Sequence, residues 1–136
     1  SGLFPLKKTW DQQVKVGLGT DIGAGTSFSL LQTVNEAYKV QQLQGDKLSA
    51  YESLYHATLG GAKALDLDDK LGNFTVGKEA DFVVLDLKAT ALQQLRQSRA
   101  KSIEDSLFAL FTMGDDRNIE ATYIYGQKAY QQNQSI

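Results

Sequence analysis

Near Asp68 to Leu71 the apolar pattern of this chain changes, and that change limits the folds open to it more than any other feature. Before it, apolar residues recur at helical spacing; after it, short runs of strand composition alternate with turn signals. Leu30, Leu31, Val34, Ala37, Tyr38 and Leu43 predict one amphipathic helix, with Ser27 placed to cap it. Ser49 and Glu52 make an [ST]-x-x-[DE] capping box for a second helix over Ala50 to about Leu59. Gly60-Gly61 marks its end or a kink, and Ala62 to Leu67 reads as one further helical turn. Upstream, Leu3 to Gln13 reads as a loop with a short helical turn after Pro5, and Val14 to Gly19 as a short strand ending in glycine. Downstream, Leu71–Val76 and Phe82–Asp86 predict a hairpin joined through Gly77-Lys78-Glu79-Ala80. Ala91 to Met113 predicts a helix closed by Gly114. Glu120–Tyr125 and Ala129-Tyr130 predict a closing hairpin, followed by a frayed tail from Gln131 to Ile136.

Composition removes several function classes. The 136 residues suffice for one core, and 14 Lys+Arg against 16 Asp+Glu leave no basic surface for a nucleic-acid backbone or an anionic membrane. With no Cys there is no disulfide, thiolate nucleophile or zinc ribbon, which fits a reducing cytoplasm. A single histidine, His56, rules out a self-contained Ser/His/Asp triad or multi-histidine metal site. No export signal or apolar run of membrane-spanning length is present, so the chain reads as neither exported nor membrane-spanning. The Asn73-Phe74-Thr75 and Asn133-Gln134-Ser135 matches to N-x-[ST] read as chance.

Among segments that could carry chemistry, Val16-Gly17-Leu18-Gly19-Thr20-Asp21 says most, because it sets a carboxylate just past the C-terminal end of a strand. Carboxylates at that end of a (β/α)₈ barrel strand serve catalysis and bind zinc as hard oxygen ligands; an Asp there also caps turns and helices. The glycines at 17, 19, 23 and 25 match neither phosphate-loop spacing, so tight turns and close backbone approach explain them better. His56, amid Tyr51, Leu54, Tyr55 and Leu59, reads as a packed, hydrogen-bonded core histidine. Asp115-Asp116-Arg117 reads as a salt-bridged turn or cap, and Tyr123, Tyr125 and Tyr130 as cross-strand packing.

Three segments are similar to those of the guanine deaminases, zinc enzymes of the amidohydrolase superfamily, over nearly the whole chain. They are Gly19-Thr20-Asp21 with Gly23-x-Gly25-Thr26-Ser27-Phe28-Ser29 and Asn35-Glu36-Ala37; Gly72 through Gly77-Lys78-Glu79-Ala80-Asp81-Phe82-Val83-Val84-Leu85-Asp86; and Gly114-Asp115-Asp116-Arg117-Asn118-Ile119 leading to Gly126. The first two are shared widely in the superfamily. The third, with its preceding apolar helix, points to the guanine deaminases.

The resemblance implies an α/β fold, the C-terminal remnant of a (β/α)₈ metal-dependent hydrolase barrel. Residues 1–70 would carry the last barrel strand, Val14 to Leu18, and its helices. Residues 71–136 would belong to the adjoining β-sandwich domain, with an inserted helix. Asp21 would be both metal ligand and catalytic residue, binding zinc and orienting or deprotonating the water that converts guanine to xanthine and ammonia. The implied assembly is a homo-oligomer in the cytoplasm, with guanine as substrate and neither nucleic acid nor membrane as partner. The family's His-x-His pair, later histidines, proton-shuttling glutamate and purine-gripping residues are expected before Ser1, so residues 1–136 alone are expected to be inactive. The alternative is a non-catalytic interaction module derived from such an enzyme. The absence of cysteine excludes the other deaminase design, with its H-x-E and P-C-x-x-C ligands.

Overall fold

Pro5 sets the start of the first helix, where its missing N–H costs nothing, and α1 runs Leu6–Asp11. The structure, a computed structural model, describes residues 2–132. Helix α2 covers Leu30–Leu43 and buries Leu31, Val34 and Gln41. Its N-cap is Ser29 rather than the expected Ser27, whose hydroxyl instead accepts the Ser29 N–H at 3.0 Å and turns the chain into the helix. Leu43, expected on the buried stripe, is exposed in the last turn. Helix α3, Ala50–Ala57, begins on the predicted capping box: the Ser49 hydroxyl accepts the Glu52 N–H at 3.2 Å, and a Glu52 carboxylate oxygen accepts the Ser49 N–H at 2.8 Å. The helix breaks at Thr58, before the two glycines rather than at them, and both lie inside α4, Leu59–Ala64. Their use is close approach: a Cβ on Gly60 would lie 2.9 Å from the Tyr55 carbonyl oxygen.

The second half departs from expectation in two places. Leu71–Val76 forms no strand, and β1, Phe82–Leu85, pairs antiparallel with β2, Ile119–Ile124. Gly72 and Gly77, both at positive φ, break up the 71–77 segment, and the Asn73 carboxamide accepts the Thr75 N–H at 3.2 Å in a local turn that competes with any ladder. The helix expected over Ala91–Met113 is two, α5 (Ala91–Gln97) and α6 (Ile103–Met113). Ser102 caps α6 by accepting the Asp105 N–H at 3.1 Å, an S-x-x-D signal of the same kind as Ser49–Glu52. A 3₁₀ turn at Asp116–Asn118 leads into β2, and β3, Gln127–Gln131, completes the sheet in the order β1-β2-β3. The predicted closing hairpin is present, turning through Tyr125 (φ 55°) and Gly126 (φ 72°), the paired positive angles of a two-residue hairpin turn. Gln131, assigned to the tail, belongs to β3; Asn133-Gln134-Ser135 and the rest of the expected tail lie outside the described residues.

One apolar cluster joins α2, α3 and α6 through Leu31, Val34, Ala50, Leu110 and Phe111. Leu18, Leu85 and Leu87 pack against it, so the core draws residues from both sides of position 70. The mixed helix-and-sheet composition agrees with an α/β protein. Residues 14–19, expected as a strand, belong to no ladder, because a strand needs a neighbouring strand and the described residues offer none here. Their backbone is held by helices.

Candidate functional site

Asp21 lies at the end of the 14–20 segment, whose position is fixed residue by residue. At its start the Val14 N–H donates to the Thr9 carbonyl at 3.3 Å, tying it to α1. The His56 ring nitrogen Nδ1 lies 2.9 Å from the Val16 carbonyl oxygen, which can only accept, so Nδ1 carries the proton. The Leu18 N–H donates to the His56 carbonyl at 3.0 Å. Between these two bonds, Gly17 lies flat against α4: a Cβ there would come 2.6 Å from Gly61 Cα, backbone against backbone. Lys15 pairs with Asp66 at the surface, and the hydrogen bond from that carboxylate raises the Lys15 pKa above the usual lysine value.

Beyond the segment the backbone closes on itself. Asp21 adopts a left-handed conformation at φ 46°, and its carbonyl accepts the N–H groups of Ala24 at 3.0 Å and Gly25 at 2.5 Å. Gly25 is required there, since any Cβ would run into the Thr20 carbonyl oxygen. This tight turn uses the main chain of Asp21 and leaves its side chain exposed, with no hydrogen-bond or ion-pair partner among the described residues. Backbone hydrogen bonds and close glycine contacts on both sides therefore present a free carboxylate. A free carboxylate can bind a hard cation or take up a proton.

His56 is the packed histidine that the sequence predicts: 1% exposed, with Trp10 edge-on at a ring-centroid distance of 4.8 Å. Its Nε2 is buried without a protein partner. Beside it, a cavity of about 240 Å³ is lined by Trp10, Val16, Tyr55, His56 and Lys63 among others; Asp21 does not line it. Asp115 and Arg117 form the salt-bridged turn expected of them. Arg117 Nε donates to Asp115 Oδ1 at 3.0 Å and Nη2 to Oδ2 at 2.7 Å, and this guanidinium holds the Asp115 carboxyl below the usual carboxylate range. Asp115 also accepts the Arg117 N–H at 3.0 Å and caps the 3₁₀ turn, so its oxygens are committed to structure. Tyr123 packs across strands on Phe82, with ring centroids 4.5 Å apart, whereas Tyr125 sits in the hairpin turn and donates its hydroxyl to Glu79 at 2.7 Å.

The zinc that the resemblance implies needs donors that converge on one point. Among the described residues no three His, Cys, Asp or Glu side chains converge, so these residues do not assemble a complete metal site. A tetrahedral zinc site needs three or four such donors. Asp21 fits as one member of such a set. Sequence reasoning missed the clamp on 16–18 by His56 and Gly61; the only local hint was the pair of glycines at 60 and 61. No helix among the described residues is long and apolar enough to cross a membrane.

The model of the Amidohydrolase family matches residues 1–129. The chain is 63% identical over 133 residues to the guanine deaminase of Escherichia coli (strain K12), a match covering 98% of this chain and 30% of that protein. Among solved structures, E. coli guanine deaminase superposes with a TM-score of 0.95, covering 97% of this chain and 31% of that one. The guanine deaminase from C. acetobutylicum, solved with bound guanine in its active site, superposes with a TM-score of 0.77 at 28% identity, covering 96% and 30%. The chain thus spans about 30% of the length of the curated relatives it matches.

Proposed function

This chain belongs to the amidohydrolase family, and from that premise we propose that it is the C-terminal part of a zinc-dependent guanine deaminase, which hydrolyses guanine to xanthine and ammonia. The observation that carries the reading is the Asp21 carboxylate, free of partners among the described residues and held by backbone on both sides. The identity to the E. coli guanine deaminase supports the choice of substrate. In this reading residues 14–18 are the last strand of a (β/α)₈ barrel. Residues 1–70 are the barrel part of the chain and 71–136 contribute to an adjoining β-rich domain. The remaining metal ligands and the groups that grip the purine come from outside these residues, so residues 1–136 are inactive alone. The whole enzyme is a cytoplasmic homo-oligomer with a small-molecule substrate, and neither nucleic acid nor membrane is its partner.

Zinc, when bound, supplies acidification of water towards neutral pH, and with it a nucleophile for C–N hydrolysis. Asp21 has two parts in this. Its carboxylate would serve as a hard oxygen ligand that helps hold the metal. The same carboxylate, left unengaged by the protein, would accept a hydrogen bond from the attacking water and take its proton. The left-handed backbone at Asp21 suits both, because the turn satisfies the main chain and costs the carboxylate no oxygen. Replacement of Asp21 by Asn in the full-length polypeptide is expected to lower xanthine and ammonia release by at least about 100-fold and to reduce the zinc retained on purification. Turnover equal to that of the parent enzyme overturns the assignment.

A further inference from the structure

We propose that His56 is the positioning residue for Asp21: its imidazole replaces a missing backbone donor and makes α3 a one-residue strand neighbour to residues 16–18. The inference rests on the reading of Asp21 above, and goes beyond it by saying what fixes that carboxylate.

In a parallel ladder, one residue accepts from the N–H one position past its partner and donates its own N–H to the carbonyl one position before. Residue 56 stands in that relation to Gly17. Its carbonyl accepts the Leu18 N–H at 3.0 Å, and the Val16 carbonyl oxygen receives a proton across 2.9 Å. The donor of that second bond cannot be the His56 amide, which lies in the last turn of α3 where helical bonding to the preceding turn uses it. Nδ1–H substitutes. A side chain thus completes a bridge that a helix could otherwise only half make. The residue so bridged, Gly17, is pinned from another side by Gly61, and Asp21 follows after only Gly19 and Thr20 beyond the clamped segment.

The Asp21 side chain has no partner of its own among the described residues, so its position is inherited from the main chain on either side. Downstream that is the 21–25 turn. Upstream it is His56. The ring is 1% exposed and Nε2 has no protein partner, so its polar contribution runs through Nδ1 alone. This asymmetry gives the test. An Asn side chain places an amide N–H near the position of Nδ1, whereas a Gln side chain reaches the position of Nε2 and leaves the Val16 carbonyl unpaired.

The experiment uses the full-length polypeptide with guanine as substrate, comparing His56→Asn, His56→Gln and His56→Leu with the parent and with Asp21→Asn. Thermal midpoint, kcat, KM and hydrogen exchange at the Leu18 amide are measured on each. In His56→Leu and His56→Gln, kcat is expected to fall about 10- to 100-fold, the range seen when groups that orient a metal ligand are lost, with KM little changed and Leu18 exchange accelerated. His56→Asn is expected to recover most of both kcat and Leu18 protection. Folded Leu or Gln variants with kcat within twofold of the parent overturn the proposal, as does an Asn variant no better than Leu. If none of the three folds, His56 is a core residue only and the proposal fails. Should Asp21→Asn keep full turnover, the site reading itself falls; should it lose turnover while the His56 variants keep theirs, only the clamp falls.

Discussion

Each half of the molecule is organised around a buried polar side chain, His56 among the early helices and Asn118 where the sheet meets α5 and α6, and they differ in how completely they are satisfied. Asn118 is 0% exposed and uses both ends of its carboxamide. Oδ1 accepts from the Asp115 N–H at 3.0 Å and from Gln93 Nε2 at 3.1 Å, while Nδ2 donates to the Asp86 carbonyl at 2.6 Å and to Gln93 Oε1 at 3.0 Å. Gln93 is itself tied to the Met113 carbonyl at 2.9 Å. This network closes on itself. His56 makes one side-chain hydrogen bond and leaves a ring nitrogen over, beside a segment that ends in an unengaged carboxylate. A closed network fixes a fold and has no capacity left for a ligand; the open one lies where chemistry is expected.

The comparison breaks most easily at Asn118. Asn118→Leu strands the Gln93 carboxamide, the Asp86 carbonyl and the Asp115 N–H in the interior. At about 1–3 kcal/mol per orphaned group, with incomplete additivity, a loss of about 3–5 kcal/mol is expected. Denaturant unfolding measures it, and a loss below about 1 kcal/mol would mean that the network is not what holds α5 to the sheet. Gly17→Ala comes next. Its methyl group meets Gly61 Cα at 2.6 Å and has no flexible neighbour to displace, so about 1–3 kcal/mol of strain is expected. Gly19→Ala, with open space around its Cβ, is the control and should hold its melting midpoint.

A smaller effect sharpens the contrast through pH. The bond from the Ser49 N–H holds the Glu52 carboxyl below the usual glutamate range. A depressed folded pKa means that this stabilisation is present above the unfolded value and is lost as pH falls through the folded one. Ser49→Ala should cost about 1 kcal/mol near neutral pH, and Glu52→Gln should flatten the acid limb of stability between those two values. A Glu52→Gln limb as steep as the parent's would show that other carboxylates set it. Smallest is Lys15→Ala at the exposed pair with Asp66, where no measurable change in melting midpoint is expected because solvent screens the interaction.

What could be read from the sequence follows from how local each determinant is. The Ser49–Glu52 box and the turn around Gly126 depend on a handful of neighbouring residues, and both were legible. Ser102 and Asp105 carry the same kind of signal, but the helical pattern of the glutamine-rich stretch before them and of the apolar stretch after them reads as one continuous helix. Leu71–Val76 has strand composition but no ladder, because the partner of Phe82–Leu85 lies at 119–124, and pairing across that distance leaves no local trace. The strand expected at Val14–Leu18 has strand composition, yet composition cannot supply a ladder partner. Asp21 was legible as a residue and as one side of a carboxylate site. The service of His56 to it was not, since contact between positions 56 and 16 is set by the packing of α3.

The sheet's connectivity also bears on how the chain reaches its native state. The β2–β3 hairpin turns through two residues and can close within microseconds, whereas β1 must wait until α5 and α6 have folded back across residues 86–118. In that interval Phe82-Val83-Val84-Leu85 is an unpaired apolar strand of the kind that seeds intermolecular association. Asp81 and Asp86 bracket it at either end, and charges so placed oppose stacking with a second copy. The run whose partner strand is most distant in sequence is thus the one that carries a negative charge at each end.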